Sequence, residues 1–115
     1  MKKESEAILL RIFIGESDKY NGKPLYRYLL EMFKSEGLAG TTILRSIGGF
    51  GKSSYIHSGR ILQLSTDLPI VIEVVDKKDK IEMIKTKLDG VIKGGLITEE
   101  KINMILYEPK KKQHN

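Results

Sequence analysis

Residues 6–15, Glu-Ala-Ile-Leu-Leu-Arg-Ile-Phe-Ile-Gly, are rich in branched and aromatic side chains and end at glycine, a pattern that predicts a first strand. Asp18 to Gly22 reads as a polar turn. Pro24 suits a first helical turn; Leu25, Leu29, Met32 and Phe33 follow at helical spacing until Gly37 supplies a stop. Thr41 to Ile47 reads as a second strand leading into Gly48-Gly49-Phe50-Gly51. A long excursion over 52–66 follows, with a short strand expected at 61–64. Pro69 opens the next strand, Ile70 to Val75, at a position where proline is tolerated. Asp76 is placed to cap a second helix with Ile81, Ile84, Leu88 and Val91 as its buried stripe, and Gly94-Gly95 is expected to end it. Lys101 to Tyr107 then forms the last strand. The order is βαββαβ, an α+β ferredoxin-like sandwich with a four-stranded antiparallel sheet and two helices on one face.

That architecture conflicts with the residue pattern in one respect. Two helices cover one face of such a sheet, so the other face should alternate to polar. Instead the first strand carries Ile8, Leu10, Ile12 and Ile14 on one side and Ala7, Leu9 and Phe13 on the other. The strand after Pro69 sets Ile70, Ile72 and Val74 against Val71 and Val75, and the last sets Ile102, Met104 and Leu106 against Ile105 and Tyr107. Leaving five or six such side chains in water forgoes roughly 1.5–3 kcal/mol each. An uncovered apolar sheet of that size predicts a partner surface, and self-association is the simplest solution.

Composition narrows the chemistry. The 115 residues make one domain, taken as 1–109, with a basic tail over 110–115 expected to be disordered. No cysteine is present, which removes disulfides and thiolate chemistry, and the two histidines, His57 and His114, do not make a metal site. No apolar run reaches the ~18–20 residues of a membrane span and no signal peptide is legible, so a cytoplasmic protein without membrane insertion is expected. The net charge of +5 sits at the two ends: without Lys2, Lys3, Lys110, Lys111 and Lys112, residues 4–109 hold fifteen charges of each sign. Nucleic-acid binding on net charge alone is therefore not supported. Between Glu36 and Asp67 no acidic residue occurs, while Arg45, Lys52, His57 and Arg60 share the stretch with six glycines and several hydroxyls. Free backbone N–H groups beside scattered cations suit an anion such as phosphate.

Three motifs suggest other functions and fit poorly. Ser46-Ile-Gly-Gly-Phe-Gly-Lys-Ser53 ends like a phosphate-binding loop, but its leading glycine position holds Ser46 and no good helix follows. Ile12-Phe-Ile-Gly15 and Gly49-Phe-Gly51 look like the sheet motifs of a single-stranded RNA binder, yet Lys52 stands where an aromatic is needed and Gly48 where a cation is. His57, Tyr55, Glu16 and Asp18 are the catalytic candidates; the carboxylates suit shaping a turn, and nothing assembles nucleophile, base and oxyanion site. No enzyme is read.

The run Ile12-Phe-Ile-Gly-Glu-Ser-Asp18, Gly22-Lys-Pro-Leu25, Gly37-Leu-Ala-Gly-Thr-Thr-Ile43, Arg45, Gly49-Phe-Gly51, His57, Leu68-Pro69 and Gly95-Leu-Ile-Thr98 resembles the family of uncharacterised PII-like proteins across nearly all of 6–107. The resemblance implies a homotrimer packed through its sheets and a relationship to PII signalling proteins, which bind adenine nucleotides in clefts between subunits and signal through a long loop after the second strand. Residue by residue, Gly40-Thr41-Thr42 is similar to the PII segment where a threonine helps hold the adenine. Gly49-Phe50-Gly51 is similar to the base of the signalling loop, and Lys52 falls where PII proteins carry a cation near the phosphates. PII proteins also cradle phosphates in a glycine-rich loop before the last strand. The corresponding stretch is read here as Thr98-Glu99-Glu100-Lys101, which keeps a lysine, lacks glycine and adds two carboxylates. That reading favours a less charged ligand, AMP or ADP, over ATP. The expected ligand set is Thr41, Thr42, Arg45, Gly49, Phe50, Gly51, Lys52, His57 and Lys101, with no obligatory cofactor and an unknown target protein. The alternatives are an assembly module without nucleotide, or a single-stranded nucleic-acid binder.

Overall fold

A computed structural model of the chain describes residues 1–49 and 68–109; the expectations for the 52–66 excursion and the 110–115 tail lie outside them. In chain order the elements are β1 (Lys2–Gly15), β2 (Lys19–Tyr20), β3 (Lys23–Pro24), α1 (Leu25–Ser35), β4 (Gly40–Arg45), β5 (Pro69–Asp76), α2 (Lys78–Asp89) and β6 (Leu96–Tyr107). The four long strands form one antiparallel sheet in the order β4-β5-β1-β6, and the expected ferredoxin-like sandwich is present.

Strand alternation divides the sheet into two faces. Ile8, Leu10, Ile12 and Ile14 of β1 stand beside Ile70, Ile72 and Val74 of β5. They pack with Leu25, Leu29 and Phe33 of α1 and Ile81, Ile84 and Leu88 of α2 in one core. Leu10, Ile12, Ile72, Val74, Leu29 and Phe33 are wholly excluded from solvent. The opposite face carries Leu9 and Phe13 of β1, Val71 and Val75 of β5, Leu44 of β4, and Leu96, Ile102, Met104 and Leu106 of β6, with no helix over it among the described residues. These side chains are only half-buried or exposed.

Besides β1 starting at Lys2 rather than residue 6 and β4 ending at Arg45 rather than Ile47, four local features depart from the sequence reading. The polar turn contains a small hairpin, β2 against β3, closed by Asn21 and Gly22 at φ +51° and +78°, the left-handed pair that Asn-Gly adopts readily. Asp76 does not cap α2: Lys77 holds that position, and the buried Asp76 carboxylate accepts N–H bonds from Lys77 (2.7 Å) and Ala39 (2.9 Å), tying the approach to β4 to the end of β5. Gly90 rather than Gly94-Gly95 terminates α2. The last strand begins at Leu96, five residues before the expected start, because its first positions are exposed and carry no apolar alternation to reveal them.

Candidate functional site

The ends of β1, β4 and β5 meet where the chain leaves for the 50–67 segment and returns. Ser46 donates both its backbone N–H (3.2 Å) and its hydroxyl (2.7 Å) to the Pro69 carbonyl, and Glu16 donates its N–H to the Leu68 carbonyl (2.9 Å). Gly49 sits at φ +136°, a conformation L side chains rarely adopt, although an added Cβ would meet nothing nearer than Pro69 Cγ at 3.7 Å. Asp18 shapes the adjoining turn: its carboxylate accepts from the Gly15 N–H (3.0 Å) and its carbonyl from the Leu25 N–H (2.8 Å). Arg45 reaches the Glu16 carboxylate at 2.6 Å. Arg45 remains 65% exposed, whereas Glu16 is mostly enclosed and its second oxygen, Oε1, is buried without a hydrogen bond among the described residues.

The expected residues do not converge within one protomer. Thr41 and Arg45 lie opposite Val74 and Ile70 on the helix side of β4; Thr42, opposite Glu73, lies on the open face. Lys101 is on β6, opposite Ile8, at the other edge of the sheet. β5 and β1 intervene, so β4 and β6 stand three strand spacings, roughly 14 Å, apart. Lys101 lines a cleft of about 510 Å³ with Lys78 at the start of α2, away from the loop base. Phe50, Gly51, Lys52 and His57 lie outside the described residues.

The early start of β6 changes which residues form the glycine-rich loop before it. Thr98-Glu99-Glu100-Lys101 is strand, and the loop is 90–95, with Gly90, Gly94, Gly95 and the exposed Lys93. Gly95 passes so close to β1 that a Cβ there would lie 2.6 Å from the Phe13 carbonyl oxygen. The two carboxylates are not aimed into that loop. Glu99 binds Lys85 of α2 at 2.7 Å, and Glu100 binds Arg11 at 2.6 Å on the open face. The objection they raised to a more highly charged nucleotide therefore falls. The Gly-Gly pair was visible in the sequence, but reading it as a helix stop concealed it.

Arg11 is the other residue that sequence reasoning passed over. Its guanidinium bridges Glu73 of β5 (2.9 Å) and Glu100 of β6 (2.6 Å), and those two carboxylates, Glu73 first, raise its pKa above the usual guanidinium value. A polar row, Thr42, Glu73, Arg11 and Thr98, thus crosses the middle of the apolar open face. Among the described residues, no group of three side chains could hold a metal ion, and no helix is long and apolar enough to cross a membrane.

The sequence pattern of the DUF190 family, described as an uncharacterized ACR, matches residues 7–104. A UPF0166 protein of Aquifex aeolicus is 42% identical over 97 residues, covering 84% of this chain and 91% of that protein. A UPF0166 protein of Methanocaldococcus jannaschii is 37% identical over 93 residues, covering 80% and 85%. Among solved structures, CPII of Thiomonas intermedia bound to ADP and bicarbonate superposes with a TM-score of 0.57 at 16% identity, over 89% of this chain and 91% of that one. A putative PII-like signaling protein of Thermus thermophilus gives 0.54 at 18% identity, over 90% and 91%. The fold is PII-like.

Proposed function

The chain belongs to the DUF190 family, and from that premise we propose that it is a homotrimeric PII-like regulatory protein that binds an adenine nucleotide between subunits and performs no catalysis. One observation carries this reading. Two glycine-bearing, cation-bearing segments, Arg45–Gly49 after β4 and Lys93–Gly95 before β6, flank opposite edges of one sheet. A single phosphate cannot touch both within a protomer, but a β4 edge set beside the β6 edge of a second copy joins them into one site. That CPII carries ADP, and in a related structure ADP and AMP, supports the ligand class.

In this site Thr41, at the start of β4, would flank the base, and the backbone N–H groups around Gly48–Gly49 would approach the phosphates, with Lys52 and Lys93 as the cations. Fixing the rim where Ser46 and Glu16 hold the returning chain would bias the 50–67 segment toward one conformation, and an unidentified target protein would read it.

Calorimetry with AMP, ADP and ATP tests the ligand, and light scattering tests the assembly against the 13.0 kDa of one chain. Heat is expected at micromolar to millimolar nucleotide; its absence removes the ligand claim. Arg45→Ala and Lys93→Ala should each weaken binding, and mixed assemblies of the two variants should recover part of it, since some interfaces then pair two intact edges. No recovery on mixing would place the site within a protomer and overturn the reading.

A further inference from the structure

β1 and β6 run past the rest of the sheet. β5 pairs with β1 from Ile8 to Gly15, whereas Lys2–Ala7 pairs with β6 alone, across Ile102–Tyr107. Met1 and Glu108 extend the ribbon by exchanging two bonds, of 2.5 and 2.8 Å. A two-stranded arm roughly 20 Å long therefore projects beyond the helix-covered core. Ribbons of that kind are marginally stable alone in water. The open side of this arm carries Ile102, Met104 and Leu106, which continue the open face; on its other side Ile105 and Tyr107 are 46% and 73% exposed beside Lys2, Glu4 and Glu6.

We infer that the arm is a clasp: in the assembly proposed above, on which this rests, the open side of one copy's arm lies over the β4–β5 half of the next copy's open face. Three features fit that occupant. The open face has unequal halves. Its β1–β6 half runs on into the arm, while at that end its β4–β5 half, with Leu44, Val71 and Val75, has no comparable apolar extension among the described residues. Arm and face are different surfaces, so the contact is heterologous, the type that forms a ring of three when the rotation between copies is 120°. Charge also matches. The centre of the face holds the carboxylates of Glu73 and Glu100 against one guanidinium, Arg11. The open side of the arm brings Lys3, opposite Leu106 and paired with the half-exposed Glu108 at 3.3 Å.

A photo-activated benzoylphenylalanine at position 106 should cross-link one subunit to the next, giving covalent dimers and trimers; the same probe at Met83, on the outer side of α2, should not. The double change Met104→Glu with Leu106→Glu should weaken assembly at least about tenfold, as loss of buried interface anchors does, with the protomer's circular dichroism unchanged. A wild-type trimer without intersubunit cross-links from position 106 overturns the clasp and leaves the trimer standing, whatever the double variant does. A wild-type monomer overturns the trimer and the clasp together.

Discussion

The two faces of the sheet are built from nearly the same side chains and differ in what covers them. On the helix side, Leu10, Ile12, Ile72 and Val74 are fully buried against α1 and α2. On the other, Leu9, Phe13, Val71 and Val75 alternate with them along the same strands without a cover. The second difference is polar. The helix side of these two central strands carries no charge between Ile8 and Ile14, while the open face has Arg11 clamped between two carboxylates at its centre. A face meant for water would not be this apolar, and a plain core would not hold three charges. The combination suits a surface that is covered by another protein and kept in register by an ion-paired cluster.

The largest expected effect comes from breaking the covered face. Phe33→Ala, at a fully buried site, should cost about 3–5 kcal/mol in chemical denaturation, whatever the protein concentration. Phe13→Ala, on the open face, should instead show a cost that grows with protein concentration, because in the proposed assembly a second copy would bury that ring. Equal, concentration-independent losses would mean that the two faces do not differ in the way proposed. Next is the loop-bearing end, where the structure separates space from conformation. Gly95→Ala drives a Cβ to 2.6 Å from a backbone oxygen at φ +150° and should cost ~2–3 kcal/mol. Gly49→Ala, with open space at φ +136°, should cost only the backbone term, about 1 kcal/mol. Thermal shifts of the two variants side by side decide it.

The division into faces was legible because residues 7–15 and 70–75 are short branched, apolar runs bounded by Gly15 and Pro69, which read as strands whose successive side chains must alternate between two faces. Pro24, Leu25 and Gly37 likewise bracket α1 within a residue or two of its observed ends. Legibility ended where local cues compete. Asp76 looks like a helix cap, but two backbone N–H groups, one of them from Ala39 far away in sequence, take its carboxylate. Leu96 to Glu100 is an exposed edge strand whose polar residues carry no alternation, so its start was placed too late and the glycine loop before it was missed. Arg11 carries no cue of its own within the strand run; only pairing to β5 and β6 reveals two carboxylates beside it. For the candidate site, the separation of Thr41 and Arg45 from Lys101 on β6 was not legible, because strand order is a tertiary property.

A smaller effect distinguishes the charges on the two faces. Arg11→Met should leave a dilute protomer nearly as stable as wild type, since exposed ion pairs contribute little, yet weaken assembly by stranding Glu73 and Glu100 at the interface. Adding Glu73→Gln should restore part of the association in sedimentation. An assembly indifferent to Arg11→Met would make the cluster a surface feature only.

The smallest effect is also the one that compares the faces most directly. On the helix side, Lys85 is held by Glu99 and then Glu82, and both raise its pKa above 10.5. A raised ammonium contributes stability that is complete below the unfolded value and lost as pH climbs through the folded one, so this pair loosens only in alkali. Glu31, its pKa lowered from 4.5 chiefly by the hydrogen bond from Lys23, behaves in the opposite sense: its contribution is complete above the unfolded value and lost as pH falls through the folded one. Both pairs are solvent-exposed, so their slopes should be shallow, vanish in Lys85→Met and Lys23→Met respectively, and flatten in high salt, where exposed charges are screened. The Arg11 cluster shares their exposure in the single chain but would lie under a second copy in the proposed assembly. Its contribution to association should therefore survive the salt that erases the other two, and salt sensitivity equal to theirs would mean that nothing covers the open face.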